Sequence, residues 1–372
     1  MPQFLPFFPP LCYKDLYVIK TLKEKMSMDR FVDLRSDTVT KPTPDMRQAM
    51  FEAAVGDDVF GEDPTVNTLQ EKAARLLGKE AALFVASGTM ANQLSIKAHT
   101  QPGDEVIIEA GAHAMNFEGG AGAVISGIQF LGIPGNRGIF EAVQVEAAIR
   151  VDDVHFPPSR LVVIENTHNR GGGSVFPLSK IRLIRELATQ RGLRMHMDGA
   201  RLWNACVASG ISPAKYAEPF DSVSVCLSKA LGCPVGSLVV GSKDFIKRVH
   251  RFRKMVGGGM RQAGFLAAAG IYALDHHIDR LEEDHRKAKK LAEGLANIKN
   301  VLINPAEVET NILFFDVSRA EKTAQEVVAS CREKGVRLHP TAKTRIRCVT
   351  HLDVSFADID QALKVIAGVL KG

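Results

Sequence analysis

The 372-residue sequence contains six cysteines, one tryptophan and four tyrosines, and it lacks any long apolar run. The cysteines form no C-x-x-C pair and no spacing typical of zinc ligands, so neither a disulfide framework nor a metal site is expected. No apolar stretch approaches the length of about 20 residues that a membrane span requires. The sequence therefore predicts a protein with reduced thiols that does not enter a membrane.

Charge of one sign is not concentrated in any part of the chain. The 47 basic and 42 acidic residues are scattered and give a net charge of +5. The densest basic cluster, residues 247–254, fits a solvated helix face as well as it fits an anion site. This mild basicity gives no reason to expect a nucleic-acid partner.

Residues 1–30 match no common targeting segment. Four prolines interrupt an apolar start, and acidic residues occur within the basic stretch that follows. A signal peptide places basic residues before its apolar region, and a transit peptide is poor in acidic residues. We predict a flexible N-terminal extension over 1–30 and a cytoplasmic protein, with a mitochondrial location left open.

Strand-like and helical patterns alternate from about residue 63 to residue 240, which predicts an α/β domain with a mostly parallel sheet. The next stretch, to about residue 297, is mainly helical. Strands at 311–317 and 345–349 and two helices then predict a smaller α+β domain. We place a large domain at 31–275 and a small C-terminal domain at 276–372. The predicted strands of the large domain are 82–85, 106–109, 161–165, 194–198, 222–227 and 237–240. Asp63 and Pro64 are typical of a helix start, and a Gly/Ala-rich helical stretch is predicted near 113–123.

Polar residues follow the ends of several predicted strands, namely the Ser87-Gly88-Thr89 turn, His168, Asp198 and Lys229. Functional groups gather at the carboxyl ends of the strands in open parallel sheets. We therefore expect these residues to meet in one site.

Each of these motifs also has an ordinary structural explanation. The turn at Gly88 and Thr89 would bind a phosphate at a helix N-terminus, but such turns also simply connect strands to helices. Asp198 could pair with a protonated pyridine nitrogen, as pyridoxal phosphate (PLP) requires, or could cap a helix. A partly buried Lys229 could form a Schiff base, although most lysines are surface residues. The order of phosphate turn, aspartate and lysine favours PLP.

Further motifs resemble the low-specificity L-threonine aldolases, which are PLP enzymes of the aspartate-aminotransferase-like fold type I. The resemblance runs from about Val32 to the C-terminus and rests on the following segments, given in chain order: Asp33-Leu34-Arg35-Ser36-Asp37-Thr38-Val39-Thr40, Val55-Gly56-Asp57-Asp58-Val59-Phe60-Gly61-Glu62-Asp63-Pro64-Thr65, Glu165-Asn166-Thr167-His168-Asn169, His196-Met197-Asp198-Gly199-Ala200-Arg201, Leu227-Ser228-Lys229, Gly257-Gly258-Gly259-Met260-Arg261-Gln262 and Val349-Thr350-His351-Leu352-Asp353.

The resemblance implies cofactor contacts at specific positions. It implies that Lys229 holds PLP covalently, that Gly88 and Thr89 bind its phosphate, and that Asp198 pairs with its ring nitrogen. The residue that stacks on the ring would be His113, and Arg261 would reach a cofactor phosphate across a subunit interface.

The resemblance also implies a substrate site. Ser36 and Arg347 would bind the substrate carboxylate, and Arg201 would lie near both that carboxylate and the ring oxygen. The bidentate fork of arginine suits a carboxylate.

The activity implied is cleavage of threonine or allo-threonine to glycine and acetaldehyde by an assembly of four identical subunits. His168 is our candidate for the base or for a residue that holds a water. The roles of His113 and His168 could be exchanged. Other fold type I activities, namely β-elimination, transamination and serine hydroxymethyl transfer, stay open, as does a catalytically silent binding subunit.

Overall fold

The computed structural model describes residues 31–371, and a seven-stranded sheet forms its centre. The strands are β1 (Val32–Asp33), β2 (Ala81–Val85), β3 (Glu105–Glu109), β4 (Gln129–Ile133), β5 (Ser159–Glu165), β6 (Arg194–Gly199), β7 (Ser222–Cys226), β8 (Ser237–Gly241), β9 (Ile312–Asp316), β10 (Val336–Arg337), β11 (His339–Pro340) and β12 (Arg345–Val349).

The order of the central sheet is β2-β8-β7-β6-β5-β3-β4. Strand β8 runs antiparallel to β2 and β7, and the other neighbouring pairs are parallel. Strands β3 and β7 are buried along their whole length, as expected for strands covered on both faces. The predicted mostly parallel α/β fold is confirmed, and the six predicted strands lie within two residues of their observed bounds.

Helices cover the sheet and build the smaller domain. They are α1 (Pro44–Phe51), α2 (Pro64–Leu76), α3 (Gly88–His99), α4 (His113–Asn116), α5 (Ala142–Ala148), α6 (Leu178–Gln190), α7 (Leu202–Ser209), α8 (Pro213–Ala217), α9 (Lys243–Met255), α10 (Gly264–His276), α11 (Leu281–Ala296), α12 (Ala324–Glu333) and α13 (Phe356–Lys371). Short 3-10 helices span Asp37–Val39 and Pro305–Glu307, and a π-helical turn spans Gly122–Ser126.

Local sequence explains where these helices begin and end. Asp63 caps α2 by accepting the amide hydrogens of Thr65 and Val66 at 3.1 and 3.0 Å, and Pro64 occupies the first turn. The helix expected over residues 113–123 is instead interrupted. Gly119 and Gly120 adopt φ values of 64° and 74°, a left-handed conformation that a continuous right-handed helix cannot contain.

The large and small domains have separate hydrophobic cores. The large core lies around the central sheet and extends to Leu281, whereas the small core contains α11 from Ala288 onward and α13. Val32 and Leu34 belong to the small core, because β1 pairs with β10. Residues 32–34, which the sequence analysis places in the large domain, therefore pack on the small one.

The predicted N-terminal extension over residues 1–30 lies outside the described residues. Five cysteines between residues 31 and 371 are buried and free: Cys206, Cys226, Cys233, Cys331 and Cys348. No helix in this part of the chain is both long enough and apolar enough to cross a membrane.

Candidate active site

The predicted site residues gather at the carboxyl edge of the central sheet. Asp198 lies at the end of β6, and Lys229 follows β7, the strand next to it. Lys229 is half-buried, and its carbonyl accepts a hydrogen bond from Thr40 Oγ1 at 2.8 Å. Asp198 and Lys229 thus follow neighbouring strands, as the sequence predicts, and the Thr40 hydroxyl binds the backbone of Lys229.

The phosphate turn opens α3. Ser87 Oγ accepts the amide hydrogen of Met90 at 3.1 Å, while the amides of Gly88 and Thr89 have no acceptor among residues 31–371. A Cβ on Gly88 would lie 2.7 Å from Cys226 Sγ, so only glycine allows this close approach of α3 to β7. Two free amides at the positive end of a helix suit an anion.

The Asp198 carboxylate is buried, with 2% exposure, and has no cation within 4 Å among the described residues. Oδ1 accepts the amide hydrogen of Ala200 at 3.1 Å, and Oδ2 accepts a hydrogen of the Asn92 side chain at 2.8 Å. A buried carboxylate normally has a positive partner. Asp198 can therefore accept a positively charged group of a ligand.

His113 stands beside this carboxylate. Its Nδ1 lies 3.0 Å from Glu118 Oε1, and this hydrogen bond raises the pKa of His113 above its usual value. Ligand atoms of His113, Glu118 and Asp198 lie within 4.8 Å of one another. The carboxylates of Glu118 and Asp198 already accept hydrogens from Asn92, which favours interpreting the cluster as a pocket for a cationic ring over a metal site.

His168 is buried near the strand ends, with a polar neighbour at each ring nitrogen. Nδ1 accepts the amide hydrogen of Gly171 at 3.0 Å, and Nε2 lies 2.9 Å from Glu109 Oε2. Burial opposes protonation, but the charges of Glu165 and Glu109 outweigh it and raise the pKa of His168. A cleft of about 470 Å³ opens beside His168 towards β9 and β12, away from Lys229 and Asp198.

Arg201 is held by Asp37 and is only 6% exposed. Its Nε and one terminal nitrogen donate to the two Asp37 oxygens at 2.7 and 2.6 Å. Burial opposes ionisation of Asp37, but the charges of Arg201 and Lys229 lower its pKa from 3.8 to about 2. Two donor groups of Arg201 are therefore committed to Asp37.

Arg347 has no carboxylate within 4 Å in the described chain. Its terminal nitrogens donate to Asn169 Oδ1 at 2.9 Å and to the Arg35 carbonyl at 3.1 Å, and its buried Nε has no partner there. Burial and the charge of Arg201 lower the pKa of Arg347. Ser36 follows Arg35, and its Oγ accepts the hydroxyl hydrogen of Thr38 at 2.8 Å. This region can receive a carboxylate.

Arg261 lies apart from the residues described above. Its side chain is 55% exposed and pairs with Asp57 at 3.0 Å. Gly258, three residues before Arg261, packs closely against Met90, the residue after the phosphate turn. A Cβ on Gly258 would lie only 2.7 Å from the Met90 sulfur. Any contact of Arg261 with a second subunit stays a prediction.

Sequence reasoning missed three residues of this site: Asp37, Asn92 and Glu118. Asp37 lies within a segment that carried the resemblance, and Asn92 follows the phosphate turn by one helical turn, so both lay in motifs that we had recognised. Glu118 lies five residues beyond His113 in the segment that carries this histidine, and it reaches the His113 ring just past the end of α4.

Known proteins provide an independent comparison. The family model described as "Beta-eliminating lyase" matches residues 33–318. The chain is 45% identical over 325 residues to the low specificity L-threonine aldolase of Escherichia coli (strain K12), covering 87% of this chain and 95% of that protein. It is 43% identical over 339 residues to low-specificity L-threonine aldolase 1 of Arabidopsis thaliana, covering 90% and 95%.

Solved structures agree on the fold. The threonine aldolase of Leishmania major superposes with a TM-score of 0.78 at 19% identity, covering 91% of this chain and 99% of that one. A double mutant of Thermus thermophilus aspartate aminotransferase gives a TM-score of 0.70 at 17% identity, covering 98% and 97%. The fold is therefore fold type I, and the chain belongs to the low-specificity L-threonine aldolase family of lyases.

Proposed function

We propose that this protein uses PLP to cleave β-hydroxy-α-amino acids, converting L-threonine or L-allo-threonine to glycine and acetaldehyde. The observation that carries the proposal is the buried Asp198 carboxylate, which has no cation within 4 Å among residues 31–371 and lies one strand from Lys229. Family membership gives the reaction class.

The residues present fit PLP. The amides of Gly88 and Thr89 would hold its phosphate, Asp198 would accept the hydrogen of its ring nitrogen, and Lys229 would bind it covalently. When bound, PLP supplies an electron sink for the pair released from the Cα–Cβ bond. Asp198 supports this chemistry because a carboxylate at the ring nitrogen favours its protonated form.

Arg347 would bind the substrate carboxylate, since its guanidinium has no carboxylate partner among the described residues. The Ser36 hydroxyl lies on the neighbouring segment and would donate to the same group. Arg201 would contribute positive charge from a fixed position, because Asp37 occupies two of its donor groups. Fixing the carboxylate orients the bond to be cleaved.

Removal of the β-hydroxyl proton requires a base. The Nδ1 of His113 faces Glu118, which leaves its Nε2 without a partner among the described residues and free to accept a proton. His168 Nδ1 already accepts a hydrogen bond and its Nε2 lies against the Glu109 carboxylate, which supports a positioning role for this residue. We therefore favour His113, or a water that it holds, over His168.

We further propose that copies of this chain assemble, forming a tetramer from two dimers. Exposed phenylalanines support this assembly around the segment that carries Arg261. Phe51 is 80%, Phe60 74% and Phe265 45% exposed. The amide of Asp58 donates to the Arg261 carbonyl at 3.1 Å, which joins these segments. Sedimentation of the PLP-loaded protein tests the assembly, and a monomer would refute it.

The decisive experiment combines visible absorbance with product detection. The wild type should show the band of lysine-bound PLP and release acetaldehyde from L-threonine and L-allo-threonine. Lys229→Ala should lose both signals, while Lys215→Ala, an exposed lysine on α8, should keep them.

Other outcomes would identify the alternatives. Absorbance without acetaldehyde would mean a different PLP reaction, such as transamination or β-elimination. Absence of the band from the wild type would refute PLP binding and leave a catalytically silent binding subunit.

A further inference from the structure

Behind Asp198, polar side chains form two facing rows. His196 and Asp198 are two residues apart on β6 and therefore share one face of the sheet. On β7 their direct cross-strand neighbours are Ser222 and Ser224. Helix α3 packs across these strands and presents Asn92, whose amide contacts both rows.

Hydrogen bonds link these residues from one end of the strands to the other. His99 Nε2 lies 2.7 Å from Ser222 Oγ, which lies 2.8 Å from His196 Nδ1. His196 Nε2 lies 3.4 Å from Asn92 Oδ1. Asn92 Nδ2 then donates to Asp198 Oδ2 at 2.8 Å.

The direction of each hydrogen bond follows from the two carboxylates. Asn92 must turn its NH₂ group towards Asp198 and Glu118, because carboxylates only accept hydrogen bonds. Its carbonyl oxygen therefore accepts from Ser224 Oγ at 2.7 Å and from His196 Nε2. His196 Nδ1 is then left to accept the Ser222 hydroxyl hydrogen, and that hydroxyl oxygen accepts from His99.

This direction requires His196 to be neutral, because its Nδ1 accepts a hydrogen bond, and requires His99 to carry a hydrogen on Nε2. Burial lowers the pKa of His196 to about 4 and that of His99 to about 3. Both are therefore uncharged at neutral pH. Each donor in the series points towards Asp198, and aligned hydrogen bonds of this kind polarise one another.

We propose that His99, Ser222, His196 and Asn92, the donor chain, act as positioning residues that keep Asp198 ionised and aimed at the cofactor ring nitrogen. This inference rests on the proposed function. Asp198 is buried without a cation within 4 Å in the described chain, so its negative charge depends on hydrogen-bond donors. Weakening the donor chain leaves the Asp198 anion less stabilised, so the proton shared with the ring nitrogen shifts towards Asp198.

Two substitutions break different links of the donor chain. Asn92→Leu removes the donor to Asp198 while keeping a similar volume. Ser222→Ala breaks the link between the two histidines without touching Asp198. The matched control is Ser95→Ala, which also deletes a buried serine hydroxyl. The Ser95 hydroxyl lies on α3 outside the donor chain and donates to the Ala91 carbonyl at 2.7 Å.

The readouts are the solid-state ¹⁵N chemical shift of the pyridine nitrogen in enzyme loaded with labelled PLP, and the PLP dissociation constant. In Asn92→Leu the resonance should move towards the deprotonated position, and the dissociation constant should rise roughly 10- to 100-fold. In Ser222→Ala the resonance should move in the same direction, and the PLP dissociation constant should rise about 5-fold. Ser95→Ala should match the wild type.

Thermal unfolding separates positioning from packing. If both variants unfold at lower temperature but keep the wild-type chemical shift and PLP affinity, the donor chain only supports packing and the inference is wrong. If one variant fails to fold, the other still tests the inference, because each breaks a separate link of the donor chain. A wild type that shows no lysine-bound PLP would refute the proposed function itself, which is a distinguishable result.

Discussion

Replacing Asp37 by asparagine should destabilise the protein strongly at neutral pH. The asparagine would keep the shape of the side chain but would remove the charge that pairs with Arg201, which is 6% exposed. Breaking a buried ion pair from one side leaves an uncompensated charge and costs about 3–5 kcal/mol. We expect Asp37→Asn to lose stability in this range at pH 7.

The pKa of Asp37 predicts how this difference changes with pH. Its lowering from 3.8 to about 2 in the folded protein corresponds to roughly 2.5 kcal/mol of stabilisation. Because the folded-state pKa is the lower one, this contribution is complete above about pH 4 and is lost as the pH falls towards 2. The stability difference between the wild type and Asp37→Asn should therefore narrow over that interval.

Urea unfolding followed by the fluorescence of Trp203, the single tryptophan, measures both effects. Trp203 is buried on α7, two residues beyond Arg201. Glu146→Gln serves as the control, since its partner Arg191 and Glu146 itself are about half exposed and their pair should contribute no more than about 1 kcal/mol. A loss in Asp37→Asn as small as that of the control would refute the reasoning.

Further substitutions test other parts of the site. Arg347→Lys should raise KM for L-threonine roughly 10- to 100-fold with little change in PLP affinity, because lysine lacks the bidentate fork; steady-state kinetics would contradict this if KM were unchanged. Glu118→Gln should lower the pKa of His113 and so move the corresponding limb of the pH profile of kcat/KM to lower pH. If that limb does not move, His113 is not the group that the profile reports. Gly88→Ala should weaken PLP binding and cost about 1–3 kcal/mol of stability, because its Cβ would lie 2.7 Å from Cys226 Sγ. Adding Cys226→Ala should restore part of both, and equal losses in the single and double variants would exclude that contact as the cause.

Local patterns in the sequence were sufficient for the α/β fold and for the strands that carry the site. Buried parallel strands appear as continuous apolar runs, and functional residues follow them at the carboxyl ends. Lys229, Asp198 and the turn at Gly88 could therefore be placed from sequence, and Asp63 with Pro64 marked the start of α2 because capping depends on neighbouring residues. The edge strand β4 and helix α5 were not predicted, and the helix expected at 113–123 broke at Gly119 and Gly120.

Only the tertiary structure showed which charges neutralise one another. Asp37 and Arg201 are 164 residues apart in the chain, and Asn92 lies 106 residues from Asp198. Pairing across such distances depends on strand order and helix packing, which local propensity does not encode. The same applies to His168, whose sequence position suggested a base but whose ring nitrogens lie against the Gly171 amide and the Glu109 carboxylate. Sequence alone thus determined the chemical groups available at the sheet edge, whereas folding decided which stay free for a ligand, because burial makes every unpaired charge costly and forces the others into pairs.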